Sequence, residues 1–194
     1  MTMARILVGI ATKSTVDAQA AVAAANLDHG EHDVDYTFAW GRGVYGASAV
    51  RNDLAKQALS GDYDYLFSID SDTIVPRDAL LLLMEGEPDI AVGVYRYKNE
   101  TGDAPFFKED DSKLVFADIP AERFPIKAGG LGCSLISTAV LRKLPVPIFH
   151  WDERPTGCHT SEDIWFCRAA RAAGYTLYVD GRVKCGHAGR VVFE

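Results

Sequence analysis

The sequence predicts an α/β fold, and two observations lead to this prediction. Before Gly86 the chain alternates apolar strand-like runs with helical patterns three times, which is typical of βα units. From Arg96 onward the runs are shorter and less regular, which gives the second half an α+β character. With 194 residues, 48% of them hydrophobic and 24% charged, the chain is expected to form a single domain that needs no disulfides or structural metal.

The elements of the first half follow from local patterns. Apolar or β-branched runs predict strands at 5–11, 34–40, 65–69 and 90–95, and helical spacing predicts helices at 16–27, 49–60 and 76–85. Ser48 is expected to cap the second helix and Gly61 to end it. A glycine-rich loop at 41–48, which carries Arg42, precedes that helix.

The second half contains one helix with clear boundary signals. Ser161 is a favourable N-cap, acids follow it in the first turn, and Gly174 fits the C′ position. Short runs predict strands at 114–117, 133–137, 176–180 and 183–185. Between the first two of these runs, the glycines of residues 128–132 permit a tight turn or a close approach to a ligand.

The stretch YDYLFSIDSDTIV at 63–75 carries the strongest chemical signal. A buried strand runs directly into Asp70, Ser71 and Asp72. Carboxylates two residues apart on an extended segment face the same way, and two adjacent carboxylates need a cation or a shared proton. A divalent metal is the simplest partner. An alternative is a turn in which the two acids only cap the helix that Pro76 opens.

Composition excludes several classes of function. The net charge of -7 and the absence of a basic run argue against general nucleic-acid binding. The apolar runs at 6–11 and 79–84 are too short for a secretory signal or a membrane span, so a cytoplasmic protein is expected. The four cysteines show no CxxC spacing and are expected to be reduced, although a zinc site remains an alternative. Its candidate ligands are Cys158, His159, Cys185 and His187.

Two longer segments resemble GT-A fold glycosyltransferases of the family 2 type. AVRNDLAKQALSGDYDYLFSIDSDTIVP at 49–76 is similar to that family's Arg-Asn helix followed by its DxD strand, and SEDIWFCRAARAAGYTLYVDGRVKCGH at 161–187 is similar to its ED helix and closing His. The resemblance implies a Rossmann-like α/β/α sandwich with a mixed central sheet. It also implies a nucleotide-binding half at 1–100 and an acceptor-binding and catalytic half at 101–194.

The resemblance implies a metal-dependent transfer from a nucleotide-diphosphate sugar, a UDP- or GDP-sugar, to a hydroxyl acceptor, with inversion. Asp72 would bind Mn²⁺ or Mg²⁺ directly, Asp70 would reach the ribose or the metal's waters, and His187 would complete the metal site. An imidazole ligand favours Mn²⁺. Ser71 would lie against the donor. The alternative for His187 is a surface histidine near the end of the chain.

By the same resemblance Asp163 would be the general base, and Glu162 would orient the acceptor. A helix N-terminus favours the carboxylate anion, so an ordinary carboxyl pKa is expected for Asp163. Alternatively, both acids only satisfy the helix end, and a substitution there would then cost roughly 1 kcal/mol of stability without a loss of rate.

The remaining candidate residues would contact the nucleotide-sugar donor or the acceptor. Arg51 and Asn52 would face the nucleotide, unless they lie on a solvated helix face, and Thr12 would lie at the nucleotide base. Lys98 and Arg42 are candidates for the diphosphate by charge and position. On the acceptor side the candidates are Gly130, Trp151 and Trp165, although tryptophans near a helix start are more often core residues.

Other interpretations of the sequence remain open. The chain ends seven residues after His187, without the C-terminal helices of many family members, so a lipid-linked acceptor is not expected. FSIDSDTIV also resembles the motif of haloacid-dehalogenase-type phosphohydrolases, but that motif normally lies at the first strand. A third possibility is a non-catalytic nucleotide-sugar-binding module.

Overall fold

The computed structural model describes residues 3–41, 46–98, 102–153 and 159–189. Five α-helices occur within these residues: α1 (Ala18–Ala25), α2 (Gly46–Ser60), α3 (Ala79–Met84), α4 (Thr138–Lys143) and α5 (Glu162–Ala172), together with a short 3₁₀ helix at Phe116–Asp118. The longer strands are β1 (Arg5–Thr12), β2 (Asp33–Trp40), β3 (Tyr65–Asp70), β5 (Ile90–Val94), β6 (Asp103–Phe107), β8 (Arg123–Ile126), β10 (Cys133–Ser137) and β13 (Leu177–Lys184). The short strands are β4 (Thr73–Ile74), β7 (Lys113–Val115), β9 (Ala128–Gly129), β11 (Asp152–Glu153), β12 (His159–Thr160) and β14 (Gly186–His187).

A seven-stranded mixed sheet forms the centre of the fold, in the order β2-β1-β3-β10-β5-β13-β8. β2, β1 and β3 are parallel, β10 runs antiparallel to both β3 and β5, and β13 runs parallel to β5. This arrangement confirms the predicted α/β fold with a mixed central sheet. The carboxyl ends of β1 and β3 lie at the same edge of the sheet, which is where α/β proteins bind ligands.

Helices cover both faces of this sheet. On one face α2 packs against β1, with Leu54 filling the space beside Gly9, where a Cβ would collide with it. On the other face the Tyr36 hydroxyl of β2 donates a 3.2 Å hydrogen bond to the Ala24 carbonyl of α1. Because both faces are covered, the middle of β1 is a continuous apolar run rather than an alternating one.

Several predicted helix boundaries were wrong. α2 begins at Gly46, so Ser48 lies inside the helix and is not its cap. α2 ends at Ser60, directly before Gly61 as predicted, although Asp62 rather than Gly61 takes the positive φ, at 55°. α3 begins three residues after Pro76, because the Pro76 carbonyl is used in a turn that accepts from the Ala79 amide.

The two predicted C-terminal strands are one strand, β13, with a register shift between Asp180 and Lys184. Asp180 is fully buried at this irregularity and is held by two cations, with Arg182 at 2.7 Å and Arg123 at 3.1 Å. Burial opposes ionisation of Asp180, but hydrogen bonds from Arg182 hold the pKa of its carboxyl below the usual range. A buried charge in mid-strand interrupts the apolar pattern, which explains why the sequence pattern divides this strand.

The Asp180→Ala variant is expected to lower the free energy of unfolding by about 3–5 kcal/mol, because two guanidinium groups lose their buried partner. Urea denaturation followed by circular dichroism measures this change. Asp78→Asn is the matched control, since Asp78 is exposed and makes no side-chain capping bond. A loss of less than 1 kcal/mol in Asp180→Ala would show that the two arginines do not depend on this carboxylate.

Three of the four cysteines, Cys133, Cys167 and Cys185, are buried free thiols, and Cys158 lies outside the described residues. Across the described ranges, no helix is both long and apolar enough to cross a bilayer.

Candidate active site

A cavity of about 680 Å³ opens at the carboxyl ends of β1 and β3. It is lined by residues from the loop after β1, from α2, from the turn after β3, from the start of α5 and from the end of the chain's described part. The lining residues are 11–18, Ala47, Val50, Arg51, 70–72, Lys98, Glu162, Asp163, Ala188 and Gly189. Both predicted halves of the chain therefore contribute to this cavity, while the boundary between them stays a prediction.

Arg51 lies at the centre of the acidic residues in this cavity. Its side chain is only 4% exposed, and its guanidinium nitrogens lie 2.9 Å from Asp70 Oδ1, 3.0 Å from Asp163 Oδ1 and 3.6 Å from Glu162 Oε1. A buried guanidinium needs such partners. Three carboxylates surround one cation, so the cluster carries excess negative charge when all of them are ionised. Arg51 connects the end of β3 to the start of α5.

Asp163 has the most perturbed environment of these acids. Burial raises the pKa of its carboxyl to about 7, against the pull of Arg51 and with a further upward contribution from Glu162 and Asp70. The Leu131 amide donates a 3.2 Å hydrogen bond to Asp163 Oδ2 and fixes the carboxyl in place. The ordinary pKa expected from the helix N-terminus was therefore wrong, because desolvation outweighs the helix dipole here.

Asp72 has a different set of partners. Short pairing between β14 and β4 brings His187 beside it, with His187 Nε2 lying 3.6 Å from Asp72 Oδ1. The Lys98 ammonium lies 2.6 Å from Asp72 Oδ2. Hydrogen bonds from His187, which contributes most, and from Lys98 hold the pKa of the Asp72 carboxyl well below its usual range. The Ala188 amide donates to the Asp72 carbonyl at 2.8 Å, which fixes the end of the chain's described part to this turn.

The His187 ring is oriented by a backbone group. Its Nδ1 lies 2.8 Å from the Arg96 carbonyl, an acceptor, so the Nδ1 proton is donated there. This leaves Nε2 as the ring nitrogen that faces Asp72. Metal-binding histidines are commonly oriented by a hydrogen bond of this kind. The ring also packs edge-on against Tyr95, with centroids 5.4 Å apart.

Asp70 and Asp72 do not face the same partner. β3 ends at Asp70, and the chain turns at Ser71 and Asp72, so the alternation of an extended segment does not continue. Asp70 contacts Arg51, whereas Asp72 contacts Lys98 and His187. Within the described ranges, no group of three His, Cys, Asp or Glu side chains is arranged to hold a metal ion. Asp72 and His187 would supply two protein ligands, and the metal role of Asp70 stays a prediction.

The predicted donor residues are placed differently from one another. Ser71 and Thr12 line the cavity, but the Thr12 hydroxyl donates a 2.9 Å bond to the Thr15 carbonyl and thus holds the loop after β1. Asn52 is directed away from the cavity. Its amide donates to the Phe149 carbonyl at 2.6 Å and accepts from the Phe149 amide at 3.1 Å. Arg42 lies outside the described residues.

The three predicted acceptor residues do not line this cavity. The Gly130 amide donates to the Pro105 carbonyl at 2.8 Å, and a Cβ at Gly130 would collide with the Tyr95 hydroxyl. Trp165 packs edge-on against His150, with ring centroids 4.8 Å apart. Their acceptor role stays a prediction, as does that of Trp151, and residues 154–158 of the adjoining loop lie outside the described part of the chain.

Sequence reasoning missed the loop at 13–17, which forms one wall of the cavity together with Ala18 at the start of α1. Asp17 caps α1 by accepting from the Gln19 amide at 2.8 Å, and its own amide donates to the Ser71 carbonyl at 2.8 Å. This second bond joins the loop to the turn that carries Asp72. The available signal was an Asp directly before an alanine-rich helical run, which is typical of an N-cap.

The mixed seven-stranded sheet, covered by helices and followed by an acidic turn after β3, is a GT-A-like fold. The structure of A197 from STIV is similar to this chain with a TM-score of 0.67 and 20% identity, over 96% of this chain and 86% of that one. GalNAc-T7, crystallised with UDP, GalNAc and Mn²⁺, is similar with a TM-score of 0.67 and 10% identity. That similarity covers 97% of this chain and 44% of GalNAc-T7.

No protein-family model matches the sequence, and no curated protein matches it either. At the identities of the two structural neighbours, the similarity shows the fold alone.

Proposed function

We propose that this protein is a glycosyltransferase that moves a sugar from a nucleotide-diphosphate sugar to an acceptor hydroxyl, with the help of a divalent metal. One observation carries the proposal: two features occur together at one cavity. The first is the buried carboxyl of Asp163, whose pKa is raised to about 7. The second is the Asp72 carboxylate, which lies beside the oriented imidazole of His187. The GT-A-like fold supports this proposal.

The residues around Asp72 fit a divalent metal. A carboxylate oxygen and an imidazole nitrogen are suitable ligands for Mn²⁺, and Mg²⁺ accepts imidazole less readily. Asp72 and His187 would hold the ion, with the remaining positions open to water and donor oxygens. When bound, the metal would neutralise charge that develops on the leaving nucleoside diphosphate. GalNAc-T7, with UDP and Mn²⁺ in its crystal structure, supports the use of a divalent metal by analogy.

Asp163 would remove the proton from the acceptor hydroxyl. Its raised pKa makes it a stronger base than an ordinary aspartate and still leaves a large ionised fraction at neutral pH. Arg51 would keep Asp163 oriented, since it contacts both Asp163 and Glu162, and Glu162 would orient the acceptor. A cavity of about 680 Å³ lies within the usual range for small-molecule sites, roughly 300–1,000 Å³.

The proposed transfer inverts the configuration at the anomeric carbon of the sugar. The base, on α5, and the candidate metal ligands, on the β3–β4 turn and β14, come from different elements around the cavity. An acceptor activated by Asp163 would then attack the sugar from the side opposite to the leaving diphosphate.

The proposal is tested by incubating the protein with Mn²⁺ and a panel of UDP- and GDP-sugars. Slow release of nucleoside diphosphate, with water taking the sugar in place of the acceptor, is the expected result and is measured by a coupled assay. It is expected to stop when EDTA removes the metal and to fall strongly in Asp163→Asn. Release of inorganic phosphate alone would indicate a phosphohydrolase, and donor binding without any release would indicate a binding module. Either result would overturn the proposal.

Lys98→Met is expected to strengthen Mn²⁺ binding in the absence of donor by about two- to fivefold. The Lys98 ammonium contacts Oδ2 of the Asp72 carboxylate, the group that a metal would also use, and exposed ion pairs of this kind are worth roughly 0.2–1 kcal/mol. Electron paramagnetic resonance of free Mn²⁺ measures this affinity. Lys127→Met is the control, because Lys127 pairs with Asp111 at the same 2.6 Å distance but does not line the cavity. Equal affinity in wild type and Lys98→Met would mean that the ammonium does not compete.

A further inference from the structure

The strand β2 forms an edge of the central sheet. It pairs with β1 along one side, and no strand of the described residues pairs with its other side. The Asp33 and Gly41 amides donate to the carbonyls of Ala4 and Thr12. Alternate residues of a strand direct their backbone groups to opposite sides, so the odd-numbered residues of β2 bond to β1. The even-numbered residues, Val34 to Trp40, therefore present their N–H and C=O groups to the open edge.

The same even-numbered residues carry an apolar stripe, defined here as Val34, Tyr36, Phe38 and Trp40, in which the three aromatic residues are exposed and Val34 packs partly against the core. They share one face of the strand. Tyr36 is 42% exposed, Phe38 60% and Trp40 62%. Single exposed apolar side chains are common, but three aromatic residues in consecutive positions of one face form a contiguous patch.

The features that usually prevent an edge strand from pairing with another chain are weak in β2. Natural edges are often protected by charged side chains or proline. The charged residues of β2, Asp33 and Asp35, occupy odd-numbered positions, so they lie on the opposite face from the stripe. Both are already engaged by Arg5, at 3.4 Å each, and Asp35 also accepts from the Tyr63 hydroxyl at 2.7 Å.

The stripe is complementary to itself. If a second β2 runs antiparallel about a two-fold axis at Thr37, Tyr36 faces Phe38 of the second copy, and Val34 faces its Trp40. Aromatic and aromatic–aliphatic cross-strand pairs are stabilising. These pairs are also the hydrogen-bonded ones, because the backbone groups of even-numbered residues face the open edge.

The opposite face of the same pairing avoids charge repulsion. Asp35 faces Ala39 of the second copy, and Thr37 faces Thr37, so no carboxylate meets another. An axis at Phe38 would leave Val34 opposite residue 42, and an axis at Tyr36 would leave Trp40 opposite His32. Of these three registers, only the axis at Thr37 pairs all four residues of the stripe with each other.

We propose that two copies of this chain associate through β2, antiparallel about Thr37, and join their seven-stranded sheets into one continuous sheet. The proposal does not depend on the function of the cavity. A large aromatic side chain buries roughly 150–250 Å² when fully covered, and the stripe is already partly covered. The contact is therefore at the small end of specific interfaces, which fits a reversible dimer with a dissociation constant on the order of micromolar.

Sedimentation equilibrium of three proteins tests the surface. Wild type is expected to show a concentration-dependent equilibrium between monomer and dimer, and Phe38→Lys is expected to be monomeric. Val22→Lys is the matched control, because Val22 is also 60% exposed but lies on α1, and it is expected to behave as wild type. Circular dichroism verifies that each variant is folded. If the wild-type chain stays monomeric up to a protein concentration of about 0.5 mM, the proposal is overturned. The edge would then be available for pairing with a strand of a different protein. Unchanged dimerisation of Phe38→Lys would overturn it as well.

Cross-linking tests the register. Cα atoms of a non-hydrogen-bonded antiparallel pair lie about 4.5 Å apart, within disulfide range, so Thr37→Cys is expected to form a covalent dimer. The two thiols lose two electrons and two protons to diamide, which is reduced to the hydrazine. Asp35→Cys is the control, since that residue would face Ala39, and wild type gives the background from native cysteines. Thr37→Cys cross-linking no faster than wild type, or Asp35→Cys cross-linking equally fast, would contradict this register.

Discussion

Replacement of Asp163 by asparagine is expected to lower the rate of sugar transfer by about 10²–10⁴-fold, the usual contribution of a general base. The amide has nearly the same shape as the carboxyl, and a neutral group at this position is already well tolerated because burial raises the pKa of Asp163 to about 7. The thermal midpoint of unfolding is therefore expected to change little. Donor binding, measured by calorimetry, should be retained, because Asp72 and His187 are unchanged.

Glu162→Gln is the matched control for this variant. It removes a carboxylate from the neighbouring position, 3.6 Å from Arg51, but leaves the proposed base in place. Its transfer rate is expected to fall less than that of Asp163→Asn. If folded Asp163→Asn transfers sugar at the wild-type rate, Asp163 is not the base and serves only the helix end and Arg51.

The pH dependence follows from the same carboxyl. A base acts when it is deprotonated, so kcat/KM of the wild type is expected to rise as pH rises through about 7. The stability effect has the opposite sign. A carboxyl whose folded pKa is raised favours the fold at low pH, and this contribution is lost as pH rises from about 4, the pKa of an unfolded aspartate, to about 7. Asp163→Asn should remove this slope from the pH dependence of the free energy of unfolding.

Replacement of Asp72 by asparagine is expected to weaken Mn²⁺ binding by more than about 100-fold and to abolish metal-dependent transfer. Loss of a group that only orients a ligand typically costs 10–100-fold in metal affinity, and Asp72 would itself be a ligand. The variant leaves His187 as a single protein ligand and frees Lys98 from its 2.6 Å contact. Titration of Mn²⁺ followed by electron paramagnetic resonance, with and without UDP, measures the loss.

Asp70→Asn separates the two acids of the motif. Asp70 contacts Arg51 at 2.9 Å and not the His187 side of the turn, so this variant is expected to keep most of its Mn²⁺ affinity while donor affinity falls. The proposed metal site would be wrong if Asp72→Asn bound Mn²⁺ as tightly as wild type. It would need a different ligand set if Asp70→Asn lost the metal to the same extent.

The parts of this fold that were predictable are those set by local patterns. The strand at 133–137 and the helix that starts after Ser161 appear where the apolar runs and the boundary signals indicate. The position of β10 between β3 and β5 was not predictable from local patterns, because it depends on pairing between residues more than 40 positions apart in sequence.

The site shows the same division. Local sequence identifies Asp70, Asp72, Asp163 and His187 as candidates. It does not show that the chain turns at Ser71, so that two acids separated by one residue have different partners. It also does not give the raised pKa of Asp163, because desolvation depends on residues that pack there from distant parts of the chain. Arg51 is a cation by sequence, but only its burial shows that it is committed to three protein carboxylates.

The neighbouring residues Arg51 and Asn52 together connect α2 to two separate parts of the chain. Arg51 ties α2 to Asp163 at the start of α5, and Asn52 ties the same helix to both backbone groups of Phe149. Phe149 in turn stacks on Phe166 of α5, with ring centroids 4.9 Å apart. These three connections form a closed triangle. The Asp163 carboxyl and the Phe149 backbone are therefore both held in place relative to α2.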